Sequence, residues 1–309
     1  MFRVFRKVLA CLFLIIGMAL PAANYGVSAQ SEQTDFWEVR TIYTIDYGVP
    51  HPLGLAYSLA ANEFLVWGSD RNIAGISMYE DPAGTLTIAA AVDSPLNVAF
   101  DNRTNSLFVL NRTNSELVKV TAGQNGLPLA SAEAITRFDV QAIGLKDAQG
   151  ITFDPKSGRL FILDSKAGQI ISISPSLRFG FDGAAAIRES KIKRINIKLR
   201  DYNQLRGIAF NPSNGHLYVL DPLQHKLLAL TDEGQVTSTY DLGIVQVQDT
   251  RSMLFVPSVD RTDDPASMNL ILLDSGLSTN PGTTLPSGQI IEFSFRWRFR
   301  PEQFCCRGR

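Results

Sequence analysis

The sequence predicts an all-β fold, a β-propeller of four-stranded blades, and three observations support the prediction. One strand motif recurs five times along the chain. In four of the five units a second strand follows the motif at a constant offset. A further, more polar strand can be drawn in four units. This gradient fits a propeller because inner strands are covered on both faces by neighbouring blades, whereas the outermost strand of a blade faces water.

The recurring strand begins with a small or polar residue, continues with apolar residues and closes on an aromatic residue. The closing aromatics stand at intervals of 43, 53, 57 and 45 residues. Because two of these intervals are long, the sequence leaves open whether a sixth, degenerate blade exists in addition to the five visible ones. The five segments are 52–57, 95–100, 148–153, 205–210 and 250–255, and their aromatics are Tyr57, Phe100, Phe153, Phe210 and Phe255.

The second strand ends 11 residues after the aromatic in the first four units. In the fifth unit an insertion at 260–265 delays it to 270–274. Turn formers such as those of Asp154–Gly158 predict a hairpin, since proline presets φ and glycine accepts positive φ. Third strands are predicted at 76–79, 117–120, 169–173, 227–230 and 290–295, and fourth strands at 85–92, 135–140, 194–199 and 236–242.

The fifth unit has no candidate for its own fourth strand. A replacement lies before the first unit, at residues 41–47. An N-terminal strand that completes the C-terminal blade would close the ring and remove an open sheet edge. The sequence therefore predicts ring closure through residues 41–47.

The two ends of the chain are set apart from the repeats. Arg3, Arg6 and Lys7 precede an apolar run of 13 residues, and Val27-Ser-Ala29 offers a cleavage site. This layout predicts a signal peptide at 1–29, because a bilayer span needs about 20 apolar residues. The predicted organisation is the signal peptide, a propeller domain at 30–297 and a basic tail at 298–309. We therefore expect a secreted or periplasmic protein.

Charge and cysteine content exclude some functions. Residues 1–29 carry three basic and no acidic side chains, so their removal takes the formal net charge from −1 to −4. An acidic chain disfavours nucleic-acid binding, which needs a basic face. We expect no membrane span after cleavage. Cys305 and Cys306 are adjacent in the tail, so the body of the domain has no disulfide framework.

Two phrases, residues 149–164 and 206–221, resemble the repeat of NHL-type β-propellers, which runs glycine, apolar, small, apolar, a turn, then Leu-Tyr-Val-x-Asp. The resemblance covers residues 50 to about 295. It implies the fold and leaves function open, because proteins of this shape include binding scaffolds and enzymes, among them gluconolactonase-like ones. The chain departs from the repeat at Asn97 and Ser252, which replace its small glycine.

Polar residues cluster at the predicted starts of the first strands, which line the mouth of a propeller's channel. Such a set would bind a polar ligand, and the alternative is ordinary ion pairing between loops. The gluconolactonase-like resemblance implies a divalent cation held by Asn97 with Asp147 or Asp249, and oxygen ligands suit calcium. The predicted ligand-binding residues are His51, Asp147, Gln149, Arg206, Asp249 and Arg251.

Acidic or amide residues also recur at the end of the second strand in four of the five units. A repeated Asp at this place is typical of a residue whose carboxylate accepts backbone N–H groups in a turn. Capping is therefore favoured over a binding site here. The residues are Asn111, Asp164, Asp221 and Asp274.

These features favour a binding or scaffold module over an enzyme. Loops on a rigid β frame suit recognition of a protein, a glycan or a small ligand. No nucleophile elbow, zinc-binding helix or phosphate-binding glycine loop is present in the sequence. The alternative function is a calcium-type hydrolase or lactonase acting at the channel mouth.

Overall fold

A computed structural model describes residues 35–68, 72–88, 95–111, 116–140, 143–177, 181, 191–198, 204–242, 247, 249–259, 262–264, 267–277 and 287–296. The predicted signal peptide at 1–29 and tail at 298–309 lie outside these ranges. Within them, the chain forms five antiparallel four-stranded sheets, arranged as the blades of a β-propeller. The predicted fold class is confirmed, with five blades rather than six.

The blades are numbered in chain order, and each is given from its innermost strand outwards. Blade 1 has β2 (Gly54–Ser58), β3 (Glu63–Trp67), β4 (Asn72–Ser77) and β5 (Pro82–Thr87); blade 2 has β6 (Pro95–Asp101), β7 (Ser106–Asn111), β8 (Glu116–Thr121) and β9 (Ile135–Asp139). Blade 3 has β10 (Ala148–Phe153), β11 (Leu160–Asp164), β12 (Gln169–Ser174) and β13 (Lys191–Asn196); blade 4 has β14 (Arg206–Phe210), β15 (Leu217–Asp221), β16 (Lys226–Leu230) and β17 (Val236–Asp241). Blade 5 has β18 (Thr250–Pro257), β19 (Met268–Asp274), β20 (Gln289–Arg296) and β1 (Asp35–Tyr43).

The hydrophobic core is divided among the blade boundaries. In the described part of the chain, five clusters of buried side chains each draw members from two consecutive blades, and the last joins blade 5 to blade 1. Successive residues of one strand enter different clusters: Leu107 and Val109 face blade 1, whereas Phe108 and Leu110 face blade 3. Both faces of an inner strand are therefore buried, which is why these strands read as continuous apolar runs.

The ring closes through the N-terminal strand, as the sequence predicts. β1 pairs antiparallel with β20, so that Glu38 lies opposite Phe293 and Tyr43 opposite Gln289. The predicted bounds of 41–47 are wrong at both ends. The strand begins at Asp35, and Thr44–Tyr47 forms a 3₁₀ turn that ends at Gly48 with φ of 78°. The chain turns there because it must leave the rim of blade 5 and enter the centre of blade 1.

A buried ion pair holds this closing strand. Arg40 Nε lies 2.6 Å from Oε2 of Glu292, whose side chain is 1% exposed. Asn269 donates from Nδ2 to the other oxygen of Glu292 at 2.6 Å. Arg40 also donates to the carbonyl of Met78 and contacts Glu80, both at the edge of blade 1. The clasp, defined as Arg40, Glu292 and Asn269, thus joins the closing strand to its own blade and to the next.

Three other strands have bounds that differ from the predicted ones. The fourth strands of blades 1 and 3 span Pro82–Thr87 and Lys191–Asn196 instead of 85–92 and 194–199. The third strand of blade 1 spans Asn72–Ser77 instead of 76–79, and Glu80, with φ of 70°, lies in the turn that follows. Besides the strands, a second 3₁₀ turn occupies Ala132–Ala134. A search of the described residues for helices long and apolar enough to cross a bilayer found none.

Candidate functional site

The inner strands of the five blades run side by side in the same direction around the channel. Their starts lie at one end, because contacts between blades join equivalent or adjacent positions of the repeat. Leu55 N–H donates to Ser252 Oγ at 3.1 Å, and Asn97 Nδ2 donates to the carbonyl of Arg251 at 2.5 Å. The strand starts therefore share one end, which we call the polar mouth, and the closing aromatics share the other.

All six predicted ligand-binding residues lie at the polar mouth, and each is partly buried. Asp249 is the centre of one group. Its carboxylate accepts Arg206 Nη1 at 2.8 Å, Arg251 Nη2 at 2.5 Å and the Ser275 hydroxyl at 2.9 Å. His51 Nδ1 lies 3.0 Å from the carbonyl oxygen of Ser275. Four of the six residues thus form one connected network across blades 1, 4 and 5.

The remaining two residues form a second group in blade 3. Gln149 Nε2 donates to Asp147 Oδ1 at 2.7 Å. A cavity of about 340 Å³ lies here, and Arg206 lines it together with these two side chains. Arg206 therefore belongs to both groups. The other lining residues are Leu96, Leu110, Asn111, Leu145, Lys146 and Ala148.

The acidic residues that end the second strands hold the backbone around this mouth. Asp164 accepts the N–H groups of Lys146 and Asp147 at 2.9 and 3.0 Å. Asp274 accepts the N–H of Asp249 at 2.9 Å, and Asp221 accepts two N–H groups of the turn that follows it. Capping of backbone N–H groups is confirmed for these three. Two of them also reach back to the loop before the inner strand of their own blade, which fixes Asp147 and Asp249.

Asn97, the proposed amide ligand of a calcium ion, lies inside the channel wall and is 2% exposed. Its side-chain oxygen accepts the Ser252 hydroxyl at 2.9 Å and the N–H of Val98 at 2.7 Å. Asp249 is already paired with two arginines. In the described ranges no group of three or more His, Cys, Asp or Glu side chains is placed to hold a metal ion. The calcium hypothesis stays a prediction, and this donor set does not favour it.

The two departures from the repeat, Asn97 and Ser252, are bonded to each other. Their shared network joins blades 1, 2 and 5 at the level where the other inner strands carry glycine. Glycine is needed at this level because neighbouring inner strands approach each other closely. A Cβ on Gly150 would lie 3.0 Å from Ile208 N, and one on Gly54 would lie 2.9 Å from Val98 Cγ2. We call this level the narrow layer; it consists of Gly54, Asn97, Gly150, Gly207 and Ser252.

Sequence reasoning did not predict this network, although a signal was present. Both polar replacements occupy the same repeat position, and equivalent positions meet in a closed ring. Their separation of 155 residues along the chain hides the contact until the ring is formed.

The comparisons with known proteins assign no family to this chain. No protein-family model and no curated protein matches the sequence. Several solved structures are similar to this chain at low sequence identity. They include streptogramin B lyase, with 11% identity and a TM-score of 0.46 over 84% of this chain and 98% of that one. Glutaminyl cyclase of Myxococcus xanthus has 14% identity and a TM-score of 0.49 over 84% and 97%. A chain of a nidogen/laminin complex has 16% identity and a TM-score of 0.45 over 79% of this chain and 85% of that one.

Likeness at this level of identity concerns the fold alone. One fold can carry both enzymes and binding proteins, so the architecture does not select between catalysis and binding. The five four-stranded sheets define the class of the fold as a five-bladed β-propeller. Assignment to the NHL type stays a prediction from the repeat phrases.

Proposed function

We propose that the protein is an exported binding module that holds a small polar ligand at the polar mouth. The observation that carries the proposal is the cavity of about 340 Å³ lined by Asp147, Gln149 and Arg206. Its volume falls at the lower end of the range for small-molecule sites, about 300–1,000 Å³. A concave site of this size suits a small molecule better than the surface of a protein.

The chemistry of the lining indicates a ligand with both donors and acceptors. Arg206 carries five N–H donors, and its ion pair with Asp249 employs Nη1. Asp147 accepts Gln149 at Oδ1, which leaves Oδ2 for a donor. The exposed cation of Lys146 adjoins them. Zwitterions such as free amino acids, and sugars rich in hydroxyl groups, fit this combination.

The site is also pre-organised. Buried Asp164 and Asp274 hold the loops that carry Asp147 and Asp249, and Asp249 in turn orients Arg206. Donors and acceptors held in place before binding lose less conformational entropy when the ligand arrives. The layout at residues 1–29 supports export, and secretion of the full chain from its host, with cleavage after Ala29, would test that part separately.

The ligand is sought by thermal-shift screening of the mature protein against amino acids, monosaccharides and sugar acids, followed by calorimetric titration of the compounds that raise the unfolding temperature. Arg206→Gln is expected to weaken the best compound at least about tenfold, because a hydrogen bond to a charged group contributes about 1.5–3 kcal/mol. Asp147→Asn tests the acceptor side of the cavity in the same titration.

Arg137→Gln is the matched control. Arg137 is also an arginine in an ion pair, with Glu116 at 2.5 Å, and it lies on outer strand β9, outside the residues that line the cavity. The control is expected to bind as the unaltered protein does. Equal affinity of the Arg206 and Arg137 variants for the best compound, or no stabilising compound among the three classes, would refute the proposal.

A further inference from the structure

A second cavity lies at the opposite end of the channel, where the inner strands finish. It measures about 260 Å³ and receives residues from the inner strands of all five blades. The repeated aromatics, each partly buried or buried, surround it: Tyr57, Phe100, Phe153, Phe210 and Phe255. We call it the aromatic cavity. The closing aromatic of the repeat thus forms part of a concave surface in addition to packing between blades.

Among the described residues that line the aromatic cavity there is no Asp, Glu, Lys, Arg or His. Tyr57 is the one titratable side chain of that described lining. Burial, followed by the nearby Tyr79, raises the pKa of Tyr57 to about 12, so this phenol stays neutral at physiological pH. A charged ligand entering here would lose its hydration without gaining a counter-ion. The lining therefore selects for uncharged molecules.

The few polar groups of the lining are already bonded to the protein. The Tyr57 hydroxyl donates to Asn62 at 2.7 Å, and Thr152 Oγ1 accepts the N–H of Phe210 at 3.2 Å. Asn102, at the rim, accepts the N–H of Leu59 and donates to the carbonyl of Tyr57. Water in the cavity would find few partners, and its replacement by an apolar molecule is favourable.

The volume sets the size of the occupant. An apolar protein cavity of about 150 Å³ is enough to bind benzene. The aromatic cavity is larger, at about 260 Å³, which corresponds to a molecule of one or two fused rings. Flat rings suit a wall that itself carries aromatic side chains, because aromatic pairs attract each other beyond the area they bury.

The narrow layer separates the aromatic cavity from the polar mouth. Along β6, Leu96 lines the polar cavity, Asn97 belongs to the narrow layer, and Val98 to Phe100 line the aromatic cavity. Along β14, Arg206 lines the polar cavity and Phe210 lines the aromatic cavity. The described residues that line one cavity do not line the other, so their ligands can be tested independently.

We propose that the aromatic cavity is a second binding site, which takes a small, uncharged, mainly apolar molecule of one or two rings. The site does not depend on the proposed function of the polar mouth. Its recognition rests on shape, apolar burial and the exclusion of charge.

Binding is tested with the neutral fluorescent probe 6-propionyl-2-dimethylaminonaphthalene, which has two fused rings and whose emission shifts to shorter wavelength in an apolar environment. Two competitors of similar size distinguish the chemistry: neutral 2-naphthol is expected to displace the probe, whereas anionic 2-naphthoate is expected to compete at least tenfold more weakly. Equal competition by the two would overturn the proposal, because the lining would then not discriminate charge.

Cavity filling locates the probe. Ala99 lines the cavity, and Ala99→Val and Ala99→Leu add two and three carbons in steps. The affinity for the probe is expected to fall progressively, by at least about tenfold for the leucine variant, because the added carbons occupy space that the probe needs. The valine variant keeps the test valid where the leucine variant does not fold, which the unfolding temperature shows.

Ala83→Leu, the same substitution on exposed outer strand β5, is the matched control and should leave the probe's affinity unchanged. Arg206→Gln should also leave it unchanged, which separates this site from the polar mouth. Unchanged affinity in the folded Ala99 variants, or equal loss in the Ala83 variant, would place the probe elsewhere and refute the proposal.

Discussion

Removal of Arg40 from the clasp is expected to destabilise the propeller far more than removal of an exposed arginine. In the Arg40→Met variant, Glu292 keeps its bond from Asn269 but loses its cation, and its side chain is 1% exposed. Breaking a buried ion pair by removing one partner costs about 3–5 kcal/mol. Because Arg40 itself is 18% exposed, the lower end, about 3 kcal/mol, is expected.

Arg137→Met supplies the comparison. Its pair with Glu116 is more open, with exposures of 40% and 19%, so the expected loss is about 0.2–1 kcal/mol. Unfolding by urea, followed by tryptophan fluorescence, measures both losses. For a domain of this size 3 kcal/mol corresponds to a fall of about 6 °C or more in unfolding temperature.

A double variant separates the buried charge from the lost packing. Replacing Glu292 by Gln in the Arg40→Met background removes the uncompensated charge and keeps an amide for Asn269, so part of the stability is expected to return. Equal losses for Arg40→Met and Arg137→Met, or no recovery in the double variant, would show that the clasp does not secure the ring.

Three further predictions concern the narrow layer, one turn and calcium. Gly150→Ala should cost about 1–3 kcal/mol of unfolding free energy, because the added Cβ would lie 3.0 Å from Ile208 N. Gly123→Ala is the control and should cost less, because the Cβ added there first meets the side chain of Asn125. A urea-unfolding experiment that ranks the two variants the other way would contradict this prediction. Burial raises the pKa of Asp154, but hydrogen bonds from its turn and the nearby Arg159 outweigh burial and lower the pKa below 3.8. The ionised Asp154 carboxylate therefore stabilises the folded protein above that pH, and this stability is lost as the pH falls through the folded-state pKa. Asp154→Asn should flatten the acid side of the stability–pH curve, and an unchanged curve would refute it. Chelation of calcium should leave the unfolding temperature unchanged, since Asp249 is already paired with cations, and a clear fall would revive the calcium site.

The inner strands were predictable because their pattern is local. An apolar run closed by an aromatic, then a turn with proline and glycine, is visible in any one unit, and positive φ at Gly158 and Gly215 confirms these turns. The start of β1 at Asp35 was missed because the strand carries charged residues at Asp35, Glu38 and Arg40. An outer strand is recognised by its partner more than by its own composition.

The polar mouth was predictable in part. Equivalent repeat positions meet at one end of a ring, so the sequence alone indicates that His51, Asp147 and Asp249 share a mouth. It does not indicate that Arg206 joins two groups, because that depends on distances between side chains of different blades. The aromatic cavity was not predicted, since a buried aromatic that fills space and one that lines a space have the same sequence signature.

The sequence by itself determined the repeated unit and its order, because these follow from the hydrophobic pattern and turn chemistry within about fifty residues. It also indicated the pairing of the chain's beginning with its last blade, because the fifth unit has no candidate for its own fourth strand. Only the tertiary structure decided the number of blades, the contact of Asn97 with Ser252 and the division of the channel into a polar and an apolar cavity. The physical reason is that these features depend on how closely five sheets approach around one axis. That approach is set by packing between blades, which no single unit of the sequence contains.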